Sequence, residues 1–171
     1  MPRYVAFLRG VSPLNAKMPE LKRAFEAAGF TQVKTVLASG NVVFDTRSRS
    51  EASIARKAEK AMADELDRSF LTIVRSVVAL NELIEADAHA QFELSPKAKR
   101  IVTFLREPLT AKLKLPIEVD GASILAVRGL DVLAAYVPRE ADPAFMRVLE
   151  KALGKDITTR TLGTIKKCAA A

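Results

Sequence analysis

The order of strand-like and helix-like segments in the first 76 residues restricts this chain to very few folds. Apolar, β-rich runs occupy residues 3–9, 32–38, 41–45 and 70–76, and helical patterns follow Pro19 and Ser48. The order is therefore β-α-β-β-α-β, which is the ferredoxin-like unit. Because its two crossovers are right-handed, both helices are expected on one face of an antiparallel sheet.

Local signals mark the ends of the two helices. Pro19 suits the first turn of a helix and Gly29 suits its end. Ser48 and Glu51 have the spacing of a capping box and are predicted to open the second helix. The apolar stripe of that helix consists of Ile54, Ala58, Ala61, Met62 and Leu66.

The pattern then starts again in the second half of the chain. The stretch "VAFLRG" at 5–10 is similar to "VTFLRE" at 102–107, and the hairpin at 36–45 has a loose echo at 124–137. Two more helices are predicted, near Pro143–Leu153 and Thr161–Ala169. The first helix of this half must fit into "PLTAKLKLPIEV" and is therefore short or degenerate.

These patterns predict an α+β protein with two tandem ferredoxin-like halves and antiparallel sheets. The first half is predicted at residues 1–75, and a helical linker with a helix from about Leu80 to Ala90 at 76–98. The second, degenerate half with a C-terminal helix is predicted at residues 99–171.

Four stretches carry a resemblance to a known family: "YVAFLRGV", "MPELKRAFEAAGF", "SGNVVFD" and "ITTRTLGTIKK", in this order. They resemble a widespread bacterial family known only as a domain of unknown function, over nearly the whole chain. The resemblance implies a tandem ferredoxin-like fold and no established activity.

Two departures from the family pattern affect its polar segments. The family usually follows Arg-Gly with a loop rich in glycine and lysine, whereas this chain has "VSPLNAK". The late family motif usually reads Thr-Thr-Arg-Asn-aromatic-Asn-Thr. Here Thr158, Thr159, Arg160 and Thr164 match, and "TLG" replaces the asparagines and the aromatic residue. A site built from those side chains would be altered or lost.

Composition limits the partners and the compartment. The 171 residues carry a net charge of +7, which favours anionic partners such as nucleic acid or phosphorylated ligands. Cys168 is the only cysteine, so no disulfide can form within the chain. The first apolar run is too short for a signal peptide, and no stretch approaches the ~20 apolar residues of a membrane span. We expect a cytosolic protein without membrane attachment.

Residues for catalysis or metal binding are scarce. His89 is the single histidine, and we expect a partly exposed helix residue. Cys168 is expected to lie at the surface or fill a groove. Neither has the neighbours that a zinc site or an activated nucleophile requires. We predict no metal and no cofactor, and because no general base can be named, we favour a protein that is not an enzyme.

RNA-recognition domains share this half-fold and stack bases on aromatic residues of the two central strands. Here the sheet face away from the helices is expected to carry Val5, Phe7, Arg9, Asn41, Val43 and Asp45. A pair of stacking aromatics is missing, and Asp45 would repel phosphate. A face that is mostly apolar is better explained as covered by the other half or by a partner.

The end of the first strand carries the main functional prediction. In a βαββαβ unit the first and third strands are antiparallel neighbours, so the end of the first lies beside the start of the third. The arginine there offers a planar donor fork suited to carboxylate or phosphate, and the amides at a helix start favour anions. We predict an anion pocket bordered by Arg9, Gly10, Asn15, Lys17, Ser39, Gly40 and Asn41.

A structural role is slightly preferred to a ligand role for these residues. Ser39 and Asn41 are ordinary turn residues. Arg9 has loop carbonyls, Asp45 and Glu20 as alternative partners.

A second candidate ligand segment contains Thr159 and Arg160. Its simpler interpretation is that the hydroxyls of Thr158 and Thr159 cap the last helix.

We expect a cytosolic module that binds a small anionic ligand at the edge formed by Arg9 and the Ser39–Asn41 turn. An enzyme acting on a small phosphorylated or carboxylated substrate, clamped by Arg9 and Arg160, is the first alternative. A nucleic-acid-binding protein driven by net charge is the second and less favoured one. The sequence leaves the ligand and the oligomeric state open.

Overall fold

The computed structural model describes residues 1–110, 112–119, 121–138 and 144–171. In chain order its elements are β1 Arg3–Leu8, α1 Met18–Ala27, β2 Thr31–Thr35, β3 Asn41–Asp45, α2 Glu51–Leu66, β4 Thr72–Ser76, α3 Val77–Ala86, a short 3-10 helix Ala88–Gln91, β5 Lys99–Leu105, β6 Ile117–Val119, β7 Ala122–Arg128, β8 Asp131–Tyr136, α4 Ala144–Leu153, β9 Ile157–Thr161 and α5 Leu162–Ala170.

The first sheet confirms the predicted ferredoxin-like order. Its strands run β2-β3-β1-β4, and β1 pairs antiparallel with both of its neighbours. Helices α1 and α2 share one apolar core with one face of this sheet, since Phe25 of α1 and Met62 of α2 pack in the same cluster as Val42 and Phe44 of β3. Both crossover helices therefore lie on one face, as right-handed crossovers require.

The start of α2 differs from the prediction. Its cap is Ser50, whose hydroxyl oxygen accepts the amide of Ser53 at 3.2 Å. Ser48 was therefore the wrong cap, because its own amide turns towards the Thr46 hydroxyl at 3.4 Å and it lies in the preceding turn. The Glu51 carboxylate accepts the amide of Ser76 at 2.9 Å, so it joins α2 to the end of β4.

The outward face of α2 is a solvated charged surface. Lys60 donates to Asp64 at 2.8 Å, and this hydrogen bond, followed by the attraction between the two charges, raises the pKa of Lys60 above its usual value. The Lys57 ammonium lies 5.6 Å from the centre of the Phe30 ring. Local contacts thus account for these cations without a ligand.

The second sheet repeats the first and adds one strand. Its order is β6-β7-β8-β5-β9, in which β7-β8-β5-β9 matches β2-β3-β1-β4. The expected short helix between β5 and β6 is not present in the described residues there, 106–110 and 112–116. Leu109, Leu113 and Leu115 still pack on the core of this half, so residues outside any described helix cover the core where a helix was expected.

Residues 157–161 form a strand that the sequence patterns did not predict. Thr158 and Thr159 were expected to cap the last helix, but they pair with β5 within β9. Thr161 is the cap instead, since its hydroxyl oxygen accepts the amide of Thr164 at 3.2 Å. The physical reason is that β5 offers a free edge, and threonine suits a strand as well as a cap.

His89 is fully buried, which corrects the prediction of a partly exposed histidine. Its Nε2 lies 2.9 Å from the carbonyl oxygen of Ile101 and 3.1 Å from that of Ala134. Because carbonyl oxygens only accept hydrogen bonds, Nε2 carries a proton and donates to both strands. The histidine therefore fastens the 3-10 helix to β5 and β8.

The chain forms two compact units, residues 1–82 with 165–171 and residues 83–164. Each contains an apolar core of its own. In the part of the chain that the structure describes, none of the helices combines the length and the apolar character needed to cross a membrane.

Candidate functional site

Arg9 directly follows β1, and backbone hydrogen bonds fix this end of the strand on both sides. The amide of Leu8 donates to the carbonyl of Gly40 at 2.8 Å, and the amide of Arg9 donates to the carbonyl of Leu71 at 2.9 Å. The strand end therefore lies between the β2–β3 hairpin and the start of β4. Arg9 itself is half-buried.

Gly40 allows the hairpin to approach the chain that follows β1. Its φ is +85°, and a Cβ atom there would lie 2.9 Å from the Cβ of Val11 and 3.0 Å from that of Leu8. A side chain would thus be strained twice, by the backbone angle and by the lack of space. The glycine brings the two predicted segments into direct contact. We call the predicted site residues Arg9, Gly10, Lys17, Ser39 and Gly40 together the Arg9 edge.

Asn15 shapes the loop beside this edge. Its Oδ1 accepts the amide of Ser12 at 2.9 Å, and its Nδ2 donates to the carbonyl of Gly10 at 2.8 Å. Arg68 donates to the Asn15 carbonyl at 3.1 Å. Both ends of the Asn15 amide are thus occupied by the loop itself, so this residue positions the loop.

Asn41 is fully buried and builds the hairpin. Its Nδ2 donates to the carbonyl of Val36 at 2.9 Å and to the hydroxyl of Ser39 at 3.0 Å. A ligand arriving from solvent does not reach a side chain without exposed surface. Asn41 therefore orients Ser39, and it belongs to the support of the edge.

The start of α1 offers fewer donors than the sequence predicted. Lys17 is exposed at the cap position, but Pro19 has no N–H. The amides of Glu20 and Leu21 both donate to the carbonyl of Lys17, at 3.1 and 3.0 Å. The expectation of several available amides here is corrected, and the Lys17 ammonium is the main charge that this segment contributes.

Asp45 on β3, one of the structural partners considered for Arg9, pairs with Arg3 instead. Asp45 accepts from Arg3 at 2.8 Å across the β1–β3 pair. Arg3 also donates to the backbone oxygens of Gln32 at 3.2 Å and Ala171 at 3.1 Å. Arg3, which the sequence analysis passed over, is therefore the residue that ties β2, β3 and the last described residues together.

The second predicted segment lies on β9, in the unit formed by residues 83–164. The hydroxyls of Thr159 and Thr103 are 2.9 Å apart across the β5–β9 pair. Arg160 is half-buried and donates to the carbonyl of Thr159 at 2.8 Å. These contacts hold both side chains close to the strand.

One buried cation was missed by the sequence analysis. Arg75 on β4 is buried opposite Val5, and its Nη1 donates to the carbonyl of Val74 at 3.0 Å. The available signal was the alternation of "TIVRS", which gives Ile73 and Arg75 the same face. A buried guanidinium needs hydrogen-bond partners. The groups that surround position 75 therefore favour an arginine there.

The sheet face away from α1 and α2 is not open to bases. Val5, Phe7 and Val43 are fully buried. RNA-recognition domains need this face exposed for stacking. The structure thus gives no support to that mode of binding.

Two cavities in the unit that contains the Arg9 edge are formed by other residues. One of about 450 Å³ is lined by Arg3, Lys22, Glu26, Gln32, Val33 and Lys34. Another of about 380 Å³ is lined by Glu20, Arg23, Glu65, Leu66 and Asp67. The Arg9 edge is a separate feature of the surface.

Comparison with known proteins identifies the family. The sequence profile of the family described as "Protein of unknown function (DUF1697)" matches residues 1–121. The chain belongs to the DUF1697 family. The predicted resemblance to a family of unknown function is thereby confirmed, and the late motif at 157–167 lies outside the matched residues.

A solved structure supports the fold of this DUF1697 protein. The structure of a conserved bacterial protein from Streptococcus pneumoniae superposes with a TM-score of 0.71 at 20% sequence identity, covering 99% of this chain and 97% of that chain. At this identity the likeness shows the fold alone. No curated protein matches the sequence.

Proposed function

We propose that this DUF1697 protein binds a small anionic ligand at the Arg9 edge. The observation that carries the proposal is the placement of a half-buried arginine directly after a strand that is buried from Tyr4 to Leu8, with its backbone fastened to the hairpin on one side and to Leu71 on the other. An arginine on a fixed backbone loses less entropy when it closes on a ligand than one in a mobile loop. The guanidinium fork matches the oxygens of a carboxylate or phosphate.

The remaining parts of the edge suit the same ligand. Lys17 adds an exposed ammonium, and Ser39 is a hydroxyl held by the buried Asn41. Gly10 is exposed and leaves the backbone accessible at close range, because it has no side chain, whereas the buried Gly40 supports the edge from beneath. In this proposal Asn15 and Asn41 position the edge and do not touch the ligand.

We do not include Thr159 in the ligand set, since its hydroxyl is paired with that of Thr103. Arg160 stays a second candidate cation for an anionic ligand. We further propose that the protein works in the cytosol, in keeping with a single, buried cysteine that forms no disulfide in the chain.

The test is thermal unfolding with and without inorganic phosphate, pyrophosphate and phosphate-bearing metabolites. We expect a ligand to raise the midpoint of the wild-type protein. Arg9→Ala should keep the fold and lose about 1.5–3 kcal/mol of binding free energy, the usual contribution of a charged hydrogen bond. Arg9→Lys should recover part of the response, because an ammonium does not reproduce the fork.

The matched control is Arg56→Ala, which removes an exposed arginine from α2 and leaves the edge intact. It should respond to ligand as the wild type does. If Arg9→Ala responds like the wild type, or if it unfolds without ligand, then Arg9 is structural and the proposal is wrong. A response that disappears steeply with added salt, equally in all variants, would indicate non-specific phosphate attraction.

A further inference from the structure

A cavity of about 370 Å³ lies within the unit formed by residues 83–164. One wall is the turn that follows the 3-10 helix, and the floor is the β6–β7–β8 part of the second sheet. Most of the lining is small or aliphatic, with Ala98, Ala122, Ala135 and Val137 among its members. Small side chains at these positions are what leaves the space open.

The floor has a polar end and an apolar end. Glu118, Ser123 and Ala135 occupy one row across the three strands, since Glu118 pairs with Ser123 and Ser123 with Ala135. Residues directly opposite each other in antiparallel strands share a face and have Cβ atoms about 5 Å apart. The carboxylate of Glu118 therefore stands at the sheet edge, and the methyl group of Ala135 lies about 10 Å further in.

The charged residues among the described lining are both acidic. They are Glu93, from the wall, and Glu118, from the floor. This contrasts with a chain whose net charge is +7. Arg100 follows Ala135 in the same row, but its guanidinium donates to Asp87 at 3.3 Å and it is not part of the lining.

The wall is held in place before any ligand arrives. His89 donates to the carbonyls of β5 and β8, and the amide of Phe92 donates to the carbonyl of His89 at 3.1 Å. The next turn closes on Ser95, whose hydroxyl accepts the amide of Lys97 at 3.2 Å and whose carbonyl accepts that of Ala98 at 2.9 Å. A cavity with pre-formed walls needs little ordering on binding, which favours affinity.

The opposite side is fastened as well. The amide of Val137 donates to the carbonyl of Gly121 at 2.9 Å, which joins the start of β7 to the end of β8 beside the cavity. The accessible surface of the cavity is more polar than apolar, so a ligand must carry a polar group beside its apolar part.

We propose that this cavity binds a small aliphatic amine in its ammonium form. The ammonium group donates to the carboxylates of Glu93 and Glu118, and the serine hydroxyls at the rim accept further hydrogen bonds. The alkyl chain lies over Ala135 and Val137, which share the face of the sheet that carries Ser123, and there it leaves water. Anions are repelled by the two carboxylates, so the site differs in ligand charge from the Arg9 edge.

The experiment is a titration of the full chain with hexylammonium chloride, followed by the amide signals in ¹H–¹⁵N NMR spectra. We expect saturable shifts at Ala98, Gly121 and Ser123. Sodium hexanoate, with the same alkyl chain and the opposite charge, should leave these signals in place. The double variant Glu93→Gln/Glu118→Gln keeps the shape of the cavity and should weaken binding by about tenfold or more.

Two further variants separate the site from general charge effects. Glu107→Gln removes an exposed carboxylate of the same unit outside the lining, and it should bind as the wild type does. Ser123→Val fills the floor while keeping strand propensity, and it should weaken binding. Equal affinity of the wild type and the double variant, equal binding of hexanoate, or shifts scattered over other acidic surfaces would each overturn the proposal.

Discussion

Replacing Gly40 with alanine should destabilise the first unit through two separable effects. The backbone angle is the first, because φ of +85° lies in a region that L-residues adopt at a cost of about 1–2 kcal/mol. The second is contact, because the new methyl would lie 2.9 Å from the Cβ of Val11 and 3.0 Å from that of Leu8. Neither atom is the flexible end of a side chain, so the hairpin or the strand end must move.

The contact effect corresponds to overpacking, which typically costs about 1–3 kcal/mol. We therefore expect the free energy of unfolding to fall by about 2–5 kcal/mol in Gly40→Ala. Gly10→Ala is the matched control, since its φ is +81° and a Cβ there meets nothing within 4 Å. It should cost only the backbone part, about 1–2 kcal/mol.

The assay is urea denaturation followed by the NMR signals of β1 and β3 amides, which report on the first unit. The difference between the two variants measures the contact between the hairpin and the end of β1. If Gly40→Ala is no less stable than Gly10→Ala, the close approach of the hairpin to Leu8 and Val11 is wrong, and with it the geometry of the Arg9 edge.

Two further predictions concern stability. His89→Ala should lower the free energy of unfolding of the second unit by about 2–4 kcal/mol, because it removes a buried side chain and its donated hydrogen bonds. A loss below about 0.5 kcal/mol in urea denaturation would contradict the role of His89 in fastening the 3-10 helix to β5 and β8. Ser50→Ala should cost about 0.5–2 kcal/mol through loss of the α2 cap, whereas Ser48→Ala should stay close to wild type; the reverse order in thermal or urea unfolding would restore Ser48 as the cap.

The order of elements in the first half could be predicted from the sequence because its causes are local. Alternation over a few residues identifies a strand, and Pro19 and Gly29 bracket a helix whatever surrounds them. The ferredoxin-like order then follows from crossover handedness, and it brings Arg9 beside the hairpin without further information. The family resemblance rests on the same local motifs.

Other features depend on contacts between residues far apart in the chain. From its residue type and its place in a turn, Asn41 was expected to bind a ligand. Only the packing of β3 buries it and turns its amide to Val36. His89 looks like a surface helix residue until the strands that carry Ile101 and Ala134 pair with each other. Burial and partners of this kind are set by which surfaces meet, and local patterns do not contain that information.

The threonine-rich stretch before α5 shows the same division. Its residues suit both a cap and a strand, so the sequence determined that a polar, β-branched segment precedes a helix. Pairing of Thr159 with Thr103 made residues 157–161 a strand and moved the cap to Thr161. The outcome was decided by the open edge of β5, because an unpaired strand edge stabilises any segment that can supply its missing backbone hydrogen bonds.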